Sequence, residues 1–326
     1  MQGKIGLEEH FAIPETLDDS KGFLGDKVWP ELEKRMLDLQ EYRLRQMDAH
    51  GMQMMILSLN APAVQAIPDP KKATEIARRA NDFLAEQVLK RPDRFRGFAA
   101  LAMQDADGAT RELARCMREL GFVGALVNGF SQVKEKESMV YLDDARYASF
   151  WAECEKLDAP FYLHPRNPLP SAAQIYAGHP WLLGPTWAFG QETAVHALRL
   201  MASGLFDRHP KLQIVLGHLG EGLPFSIWRV DHRNAWTGVP PRYPAKKPLG
   251  EYFRANFHLT TSGNFHTPTL IDSMLEIGAD RVMFSTDWPF ENVDHAALWF
   301  DAATISENDR VKIGRTNAVR LFKLKL

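Results

Sequence analysis

The sequence predicts an α/β protein in which eight strand–helix units close into a (β/α)8 TIM barrel. Short apolar segments alternate with longer amphipathic segments along the chain, which is typical of a parallel sheet with helices outside it. Most of the apolar segments are nearly continuous, as expected for strands that are buried on both faces. Eight such units make barrel closure the simplest arrangement. We therefore predict a single domain over residues 1–326.

The predicted strands are the apolar segments, and several of them end at a polar residue. They lie at residues 4–10, 54–60, 94–102, 122–128, 160–165, 212–218, 257–263 and 281–288. The predicted helices lie between and after them, at residues 31–50, 70–90, 107–120, 143–157, 190–208, 222–235, 267–277 and 307–322. Gly51 and Gly121 suit the position that follows a helix, and Asp143 and Asp144 favour a helix start.

Three irregular stretches interrupt this alternation. Residues 11–30 and 165–189 are rich in proline, glycine and aromatic residues, and both follow the C-terminal end of a strand. Active sites of such barrels lie at the C-terminal ends of the strands, so we expect both stretches to overhang the active-site face. Residues 236–250 follow a helix and are predicted to lie on the opposite face or at a subunit contact.

Composition excludes several classes of protein. Hydrophobic residues make up 45% and charged residues 25% of the 326 residues, which is enough to build a large core. A net charge of -2 gives no basic surface for nucleic acid or an anionic membrane, and there is no apolar run of transmembrane length. The polar N-terminal segment is not expected to be a signal peptide. Cys116 and Cys154 lie in helical patterns, so we expect reduced thiols in a cytoplasmic protein.

The most informative residues follow the strands. Glu8 and His10 are two residues apart on the first strand and therefore point to the same face. A buried carboxylate costs several kcal/mol unless it is paired or binds a cation. His164 and Asp287 end the fifth and eighth strands, and together the four side chains predict one divalent metal site. A lone histidine at a strand end is more often structural, so the prediction depends on the convergence of all four.

A second cluster surrounds His218, which glycines flank in GHLGEG. Glu221 follows three residues later, where it could orient the imidazole or simply stabilise a helix N-terminus. Other catalytic patterns are lacking: the sequence has no dinucleotide or P-loop glycine motif, no GxSxG, and no lysine near a strand end for a Schiff base.

These residues resemble the amidohydrolase superfamily, and most closely its branch with 2-amino-3-carboxymuconate-6-semialdehyde decarboxylase. The superfamily pattern has His-x-His on the first strand, whereas this sequence has Glu8 in place of the first histidine. The Glu-x-His form is similar to that of the γ-resorcylate (2,6-dihydroxybenzoate) decarboxylases. The similarity spans nearly the whole chain, including residues 56–69, 121–132, 161–170, 179–189, 192–210, 217–224, 283–292 and 314–324.

The resemblance implies a homotetrameric carbon–carbon lyase that removes CO2 from an aromatic acid non-oxidatively and without an organic cofactor. It implies one divalent ion, manganese or zinc, held by Glu8, His10, His164 and Asp287. Asp287 is the implied acid, with His218 and Glu221 in support. An ortho hydroxyl, once ionised, delocalises charge onto the carboxylated ring carbon, and protonation of that carbon permits loss of CO2. The cation would orient the substrate and lower the pKa of its hydroxyl.

The substrate pocket is expected to be flat and apolar with few polar anchors. The candidates for substrate contact are Phe23, His164, Phe189, Arg229 and Phe290, with Trp288 as a further candidate for ring packing. Arg229 could pair with a substrate oxygen, across a subunit interface, or form an ordinary surface ion pair.

Other functions stay open at this point. The substrate could be 2,3-dihydroxybenzoate, salicylate or carboxyvanillate instead. A hydrolase such as a lactonase could use the same ligands, although Asn128 stands where a two-metal centre would need a lysine. A metal-binding scaffold without activity is the third possibility, but glycines around His218 leave room for a ligand.

Overall fold

The protein folds into an eight-stranded parallel barrel. The computed structural model describes residues 1–23, 25, 27–237 and 243–326. In these residues the strands follow one another in space in chain order, and each pair of neighbours is parallel. The strands are β1 Lys4–Phe11, β2 Met52–Leu59, β3 Phe95–Ala100, β4 Gly124–Asn128, β5 Phe161–His164, β6 Ile214–Leu216, β7 Phe257–Thr260 and β8 Val282–Met283. The predicted fold class is confirmed.

The described helices lie outside the barrel. They are α1 Trp29–Leu37, α2 Tyr42–Ala49, α3 Pro70–Lys90, α4 Ala106–Arg118, α5 Ala148–Leu157, α6 Ala188–Ala202, α7 Leu205–Arg208, α8 Leu223–Trp236, α9 Leu249–Asn256, α10 Thr267–Ile277, α11 Val293–Ala302, α12 Glu307–Val311 and α13 Asn317–Phe322. Short 3-10 helices include Leu17–Phe23 in the first irregular stretch and four turns between Pro170 and Thr186 in the second.

Local capping explains why some helices match the prediction. The carboxylate of Asp69 accepts hydrogen bonds from the backbone N–H of Lys71 and Lys72, and Pro70 occupies the first helical position. Helix α3 therefore begins at the predicted residue and runs unbroken to Lys90.

The predicted helix at 31–50 is wrong in one respect, because it is two helices. The carboxylate of Asp38 accepts hydrogen bonds from the backbone N–H of Gln40 and Glu41, at 3.1 and 2.8 Å, and from that of Tyr42. A side chain that satisfies these donors ends α1 and caps the start of α2.

Two more predicted helices are interrupted. The helix at 190–208 breaks at Gly204, whose φ of 72° is left-handed. The helix at 307–322 contains a π-helical turn at Lys312–Thr316, where the Ile313 carbonyl accepts a hydrogen bond from Phe284 N at 2.9 Å. The carbonyl thus ties the helix to the chain just after β8.

Helices α9 and α11 were not predicted. The backbone N–H groups of Leu249 and Gly250 donate to the carboxylate of Asp231, which lies on α8, so a distant residue caps α9. The irregular stretch predicted at 236–250 therefore ends earlier, and its residues 238–242 lie outside the described part of the chain. Helix α11 does have a periodic apolar face, at Val293, Ala296 and Phe300, and this periodicity is the sequence signal for it.

The barrel closes through a seam between β8 and β1 that differs from the other strand pairs. The strand predicted at 281–288 has regular pairing only at Val282–Met283. Beyond it, Ser285 Oγ accepts a hydrogen bond from Glu8 N at 2.8 Å, and His10 N donates to Trp288 O. These contacts hold the residues after β8 against the end of β1, at the mouth of the barrel.

The core continues from the barrel interior to the surrounding helices. Ile5, Met54, Phe98 and Val215 point inward from different strands and form one buried cluster. No helix among the described residues has an apolar stretch long enough to cross a membrane.

Candidate metal centre and adjoining pocket

Four side chains converge at the C-terminal mouth of the barrel. Glu8 and His10 lie on one face of β1, His164 is the last residue of β5, and Asp287 follows β8. Their ligand atoms, one from each residue, all lie within 4.8 Å of one another. The structure thus brings together the set predicted from the strand ends.

The distances within this cluster suit ligands around one cation. Glu8 Oε1 lies 3.0 Å from His164 Nε2 and 3.9 Å from His10 Nε2, and His10 Nε2 lies 3.5 Å from Asp287 Oδ1. Glu8 Oε1 and His10 Nε2 are buried and have no hydrogen-bond partner in the described residues. Buried polar atoms without a partner cost folding free energy. A cation at about 2.1 Å from each of these two atoms would coordinate them and remove that cost.

Two residues that the sequence analysis missed orient the ligands. The Tyr162 hydroxyl donates to Glu8 Oε2 and lies 2.8 Å from Thr260 Oγ1. Ser58 Oγ lies 3.1 Å from His10 Nδ1, so the other ring nitrogen of His10 is left free to face the cluster. Tyr162 precedes His164 by two residues on β5, and this same-face spacing was the available signal.

His218 stands beside the cluster. Its Nδ1 lies 2.7 Å from Glu221 Oε1, and its Nε2 lies 3.8 Å from Asp287 Oδ2. His218, Leu219, Glu221 and Asp287 all have positive φ angles, between 50 and 65°, which few residues other than glycine adopt. Such strained backbone is typical of functional sites, and here it accompanies His218, Glu221 and Asp287 beside the cavity, whereas Leu219 packs in the core.

Mutual charge sets the ionisation of these groups. Burial acts to raise the pKa of Glu8, but the charge of His218, followed by the contact with His164, outweighs burial and lowers this pKa. Burial acts to lower the pKa of His218, but Glu221 and Glu8 raise it well above the usual value. Burial is the largest cause that lowers the pKa of His164. Glu8 is therefore ionised and His164 neutral, as metal ligands must be.

A cavity of about 130 Å³ opens directly on the cluster. Cavities of about 150 Å³ hold a benzene ring in other proteins. Its apolar lining comes from Ala61, Pro185, Phe189 and Phe290, and its polar lining comes from His164, His218, Asp287 and Glu291. A wider cavity of about 560 Å³ shares Pro185, Phe189 and His218 with it and extends along α6 and α8.

The predicted substrate-contact residues fall into two groups. Phe189, Phe290 and His164 line the cavity, and the Phe290 ring meets that of His10 edge-on at 5.6 Å. The second irregular stretch supplies Pro185 and Phe189, so it overhangs the site as expected. The side chain of Phe23 lies outside the described part of the chain.

The other two candidates for substrate contact, Arg229 and Trp288, lie away from the cavity. Arg229 is exposed on α8 and does not line the cavity of its own chain. Trp288 is fully buried against Tyr42, at 5.7 Å between ring centroids, and belongs to the core. Its backbone helps to close the seam, but its ring does not reach the pocket. The structure thus corrects the prediction of Trp288 as a ring-packing residue.

The donor set fits a divalent cation. Two imidazole nitrogens and two carboxylate oxygens are typical of zinc or manganese, and two anionic ligands balance the charge of the ion. The chain is therefore a (β/α)8-barrel protein with a site for one divalent metal ion next to a pocket of aromatic-ring size.

Comparison with known proteins places this site in a family. The sequence pattern of the Amidohydrolase family matches residues 28–324, so the chain belongs to the amidohydrolase family. The chain is 70% identical over 324 residues to a γ-resorcylate decarboxylase of Rhizobium radiobacter, with 99% of both chains covered.

Solved structures show the same likeness. A 2,6-dihydroxybenzoate decarboxylase in complex with 2,6-dihydroxybenzoate is 70% identical, with a TM-score of 0.98 over 99% of this chain and 100% of that chain. A dihydroxybenzoic acid decarboxylase from Polaromonas sp. JS666, with bound manganese and the inhibitor 2-nitroresorcinol, is 68% identical, with a TM-score of 0.98 over 99% of this chain and 97% of that chain.

Proposed function

We propose that the protein is a metal-dependent, non-oxidative decarboxylase that converts 2,6-dihydroxybenzoate to resorcinol and CO2, reversibly. The observation that carries this proposal is the pocket of ring size beside four convergent ligand residues. The 70% identity to γ-resorcylate decarboxylases over 99% of both chains supports the choice of substrate. The manganese bound to the Polaromonas relative supports manganese as the ion, and zinc suits the same ligands.

Glu8, His10, His164 and Asp287 would hold the ion, and their geometry supports this role. When bound, the ion supplies positive charge that favours the ionised form of an ortho hydroxyl. Phe189 and Phe290 would hold the ring in place between apolar surfaces, next to His164. Orientation of this kind exposes the carboxylated carbon to the acid.

Asp287 is the proposed proton donor to the ring carbon. A metal-bound carboxylate is usually a poor acid, so we propose that it first takes a proton from the substrate hydroxyl. His218 lies 3.8 Å from Asp287, beyond hydrogen-bond distance, and is oriented by Glu221, and we propose that its positive charge tunes the acid. Asp287→Asn should abolish turnover with a circular dichroism spectrum like that of the wild type. Near-normal turnover in this variant would refute the role.

The test of the reaction is a panel of hydroxybenzoates followed by loss of absorbance and release of CO2. The metal-free protein is reconstituted with manganese or zinc, and the metal-free sample is the control. We expect the highest kcat/KM with 2,6-dihydroxybenzoate. Higher values with 2,3-dihydroxybenzoate, salicylate or carboxyvanillate would reassign the substrate, and turnover of lactones alone would replace the proposal with a hydrolase.

We also propose one catalytic domain over residues 1–326 and a cytoplasmic homotetramer. Helix α8 exposes Phe225, Trp228 and Trp236, at 85, 67 and 72% of their full accessible area, and a second copy would cover this apolar strip. Arg229 lies on the same helix, so it would reach a substrate only across that contact. Sedimentation velocity tests the assembly, and a monomer at micromolar concentration would contradict it.

A further inference from the structure

The residue between the two metal ligands of β1, Glu9, points away from the metal site and into the seam of the barrel. Its side chain is completely buried, like those of Glu8 and His10. Since neighbouring residues of a strand face opposite sides, Glu9 cannot reach the cluster that its neighbours form. A buried carboxylate is stable only when hydrogen bonds satisfy its oxygens, and Glu9 has such bonds.

Both oxygens of Glu9 accept hydrogen bonds from residues around Asp287. Oε1 accepts from Thr286 N at 2.9 Å and from Ser285 Oγ at 3.3 Å. Oε2 accepts from the Thr286 hydroxyl at 2.5 Å and from Trp288 N at 3.4 Å. The backbone N–H groups immediately before and after Asp287 are thus held by one carboxylate.

These hydrogen bonds of Glu9 are important because the Asp287 backbone is in an unfavourable conformation. Its φ is 65°, in the left-handed region that side-chain-bearing residues rarely adopt. Surrounding contacts must over-determine such a residue for it to persist. Glu9 holds both neighbours of Asp287, and it is anchored by the same strand that carries Glu8 and His10.

Two other features show that the fold is built around this carboxylate. A Cβ atom at Gly6 would lie 2.2 Å from Glu9 Oε1, so glycine leaves the space that the carboxylate occupies. Burial raises the pKa of Glu9 to about 7, and the charge of the fully buried Arg43, which donates to His10 O, opposes this rise. The chain thus supplies both space for the side chain and a nearby positive charge.

We propose that Glu9 is the positioning residue for Asp287, which it holds in register with Glu8 and His10 across the seam between β1 and β8. The inference rests on the metal site and reaction proposed above, but its first readout, metal affinity, needs no turnover. If the wild-type protein binds manganese and turns over none of the acids, the proposed reaction fails and the role of Glu9 is still decided.

The test compares Glu9→Gln, Thr286→Val and a matched control, Glu112→Gln. A glutamine at position 9 places its NH2 group against a hydrogen-bond donor in either orientation, because each oxygen of Glu9 accepts from a backbone N–H group, that of Thr286 or that of Trp288. Glu112 is also a buried carboxylate, but it accepts from Asn81 on α3 and Arg115 on α4 rather than from residues of the seam.

Manganese dissociation constants are measured by electron paramagnetic resonance of the free ion, and kcat and KM with 2,6-dihydroxybenzoate are measured separately. In Glu9→Gln we expect binding to weaken about 10–100-fold, as for other residues that orient ligands, and kcat to fall more than KM changes. Thr286→Val should show a smaller loss of manganese affinity and of kcat. If Glu9→Gln does not fold, Thr286→Val alone tests the role of Glu9.

The control should stay within about twofold of wild type in both metal affinity and kcat, since its carboxylate has no contact with the seam. Thermal unfolding of the metal-free proteins records the cost of each substitution to stability. The inference is overturned if Glu9→Gln and Thr286→Val bind manganese and turn over as wild type does. It is equally overturned if Glu112→Gln loses as much metal affinity as Glu9→Gln.

Discussion

The contact of Tyr162 with Glu8 allows the predicted metal site to be tested by the removal of one oxygen atom. Tyr162 is fully buried inside the barrel, and its hydroxyl donates to Glu8 Oε2. Burial and the charge of Glu8 raise the pKa of Tyr162 well above its usual value, so the hydroxyl stays protonated and remains a donor. Tyr162→Phe keeps the ring and removes this donor.

The expected loss of metal affinity in Tyr162→Phe follows from the charge and burial of the hydrogen-bond acceptor, Glu8. A hydrogen bond to a charged group contributes about 1.5–3 kcal/mol, and about 1.4 kcal/mol corresponds to a tenfold change in an equilibrium constant. The variant also loses the 2.8 Å contact with Thr260, which leaves Glu8 free to rotate away from the other ligands. We expect the manganese dissociation constant to rise about 10-fold or more.

Competition with a fluorescent chelator measures this affinity without substrate. The matched control is Tyr147→Phe, because Tyr147 is also fully buried and donates one hydrogen bond, to Met103 O at 2.8 Å, away from the metal site. The control should bind manganese as the wild type does. An unchanged affinity in Tyr162→Phe, or an equal loss in Tyr147→Phe, would refute the reasoning.

Two further predictions concern groups outside the site. Burial lowers the pKa of His196 to about 3, and its Nε2 accepts from Leu142 N, so it is neutral in the folded protein. The unfolded chain takes up a proton below pH 6.5, so stability is lost as the pH falls from 6.5 towards 3. His196→Gln should lose about 2 kcal/mol less free energy of unfolding than wild type between pH 7 and 5, by urea denaturation; equal losses would contradict this. Burial also raises the pKa of Cys116 and Cys154, so neither thiol should react with a maleimide in the native protein at pH 8, while both should react in urea, by mass spectrometry. Rapid native labelling would show that the thiols are accessible.

Much of the metal site was predictable because its geometry follows from strand periodicity. The two-residue spacing of Glu8 and His10 sends both side chains to one face, and parallel strands bring their C-terminal ends to one mouth. The same rule applied to Tyr162 and His164 would have found the hydroxyl that orients Glu8. Once the barrel is predicted, the convergence of ligand residues that are distant in sequence follows from it.

The features that escaped prediction depend on contacts between distant residues or on backbone conformation. Asp231 caps α9 from another helix, and the residues of α9 themselves give no sequence signal for this cap. The left-handed backbone at His218 and Asp287 is held by tertiary contacts, since their own side chains disfavour it. The position of Trp288 directly after Asp287 favours a place in the pocket, but the chain turns at residues 288–290 and the Trp288 ring is buried in the core.

The position of the metal ligands at the seam has a consequence for biosynthesis. Glu8 N and its acceptor Ser285 Oγ are 277 residues apart in the chain, and Asp287 is the final ligand to be translated. A ribosome adds about 5–20 residues per second, so a nascent chain carries Glu8 and His10 exposed for many seconds before their partner exists. The complete set of four ligands can therefore assemble only after almost all of the polypeptide has been synthesised, so a cation bound by all four cannot guide the first steps of folding.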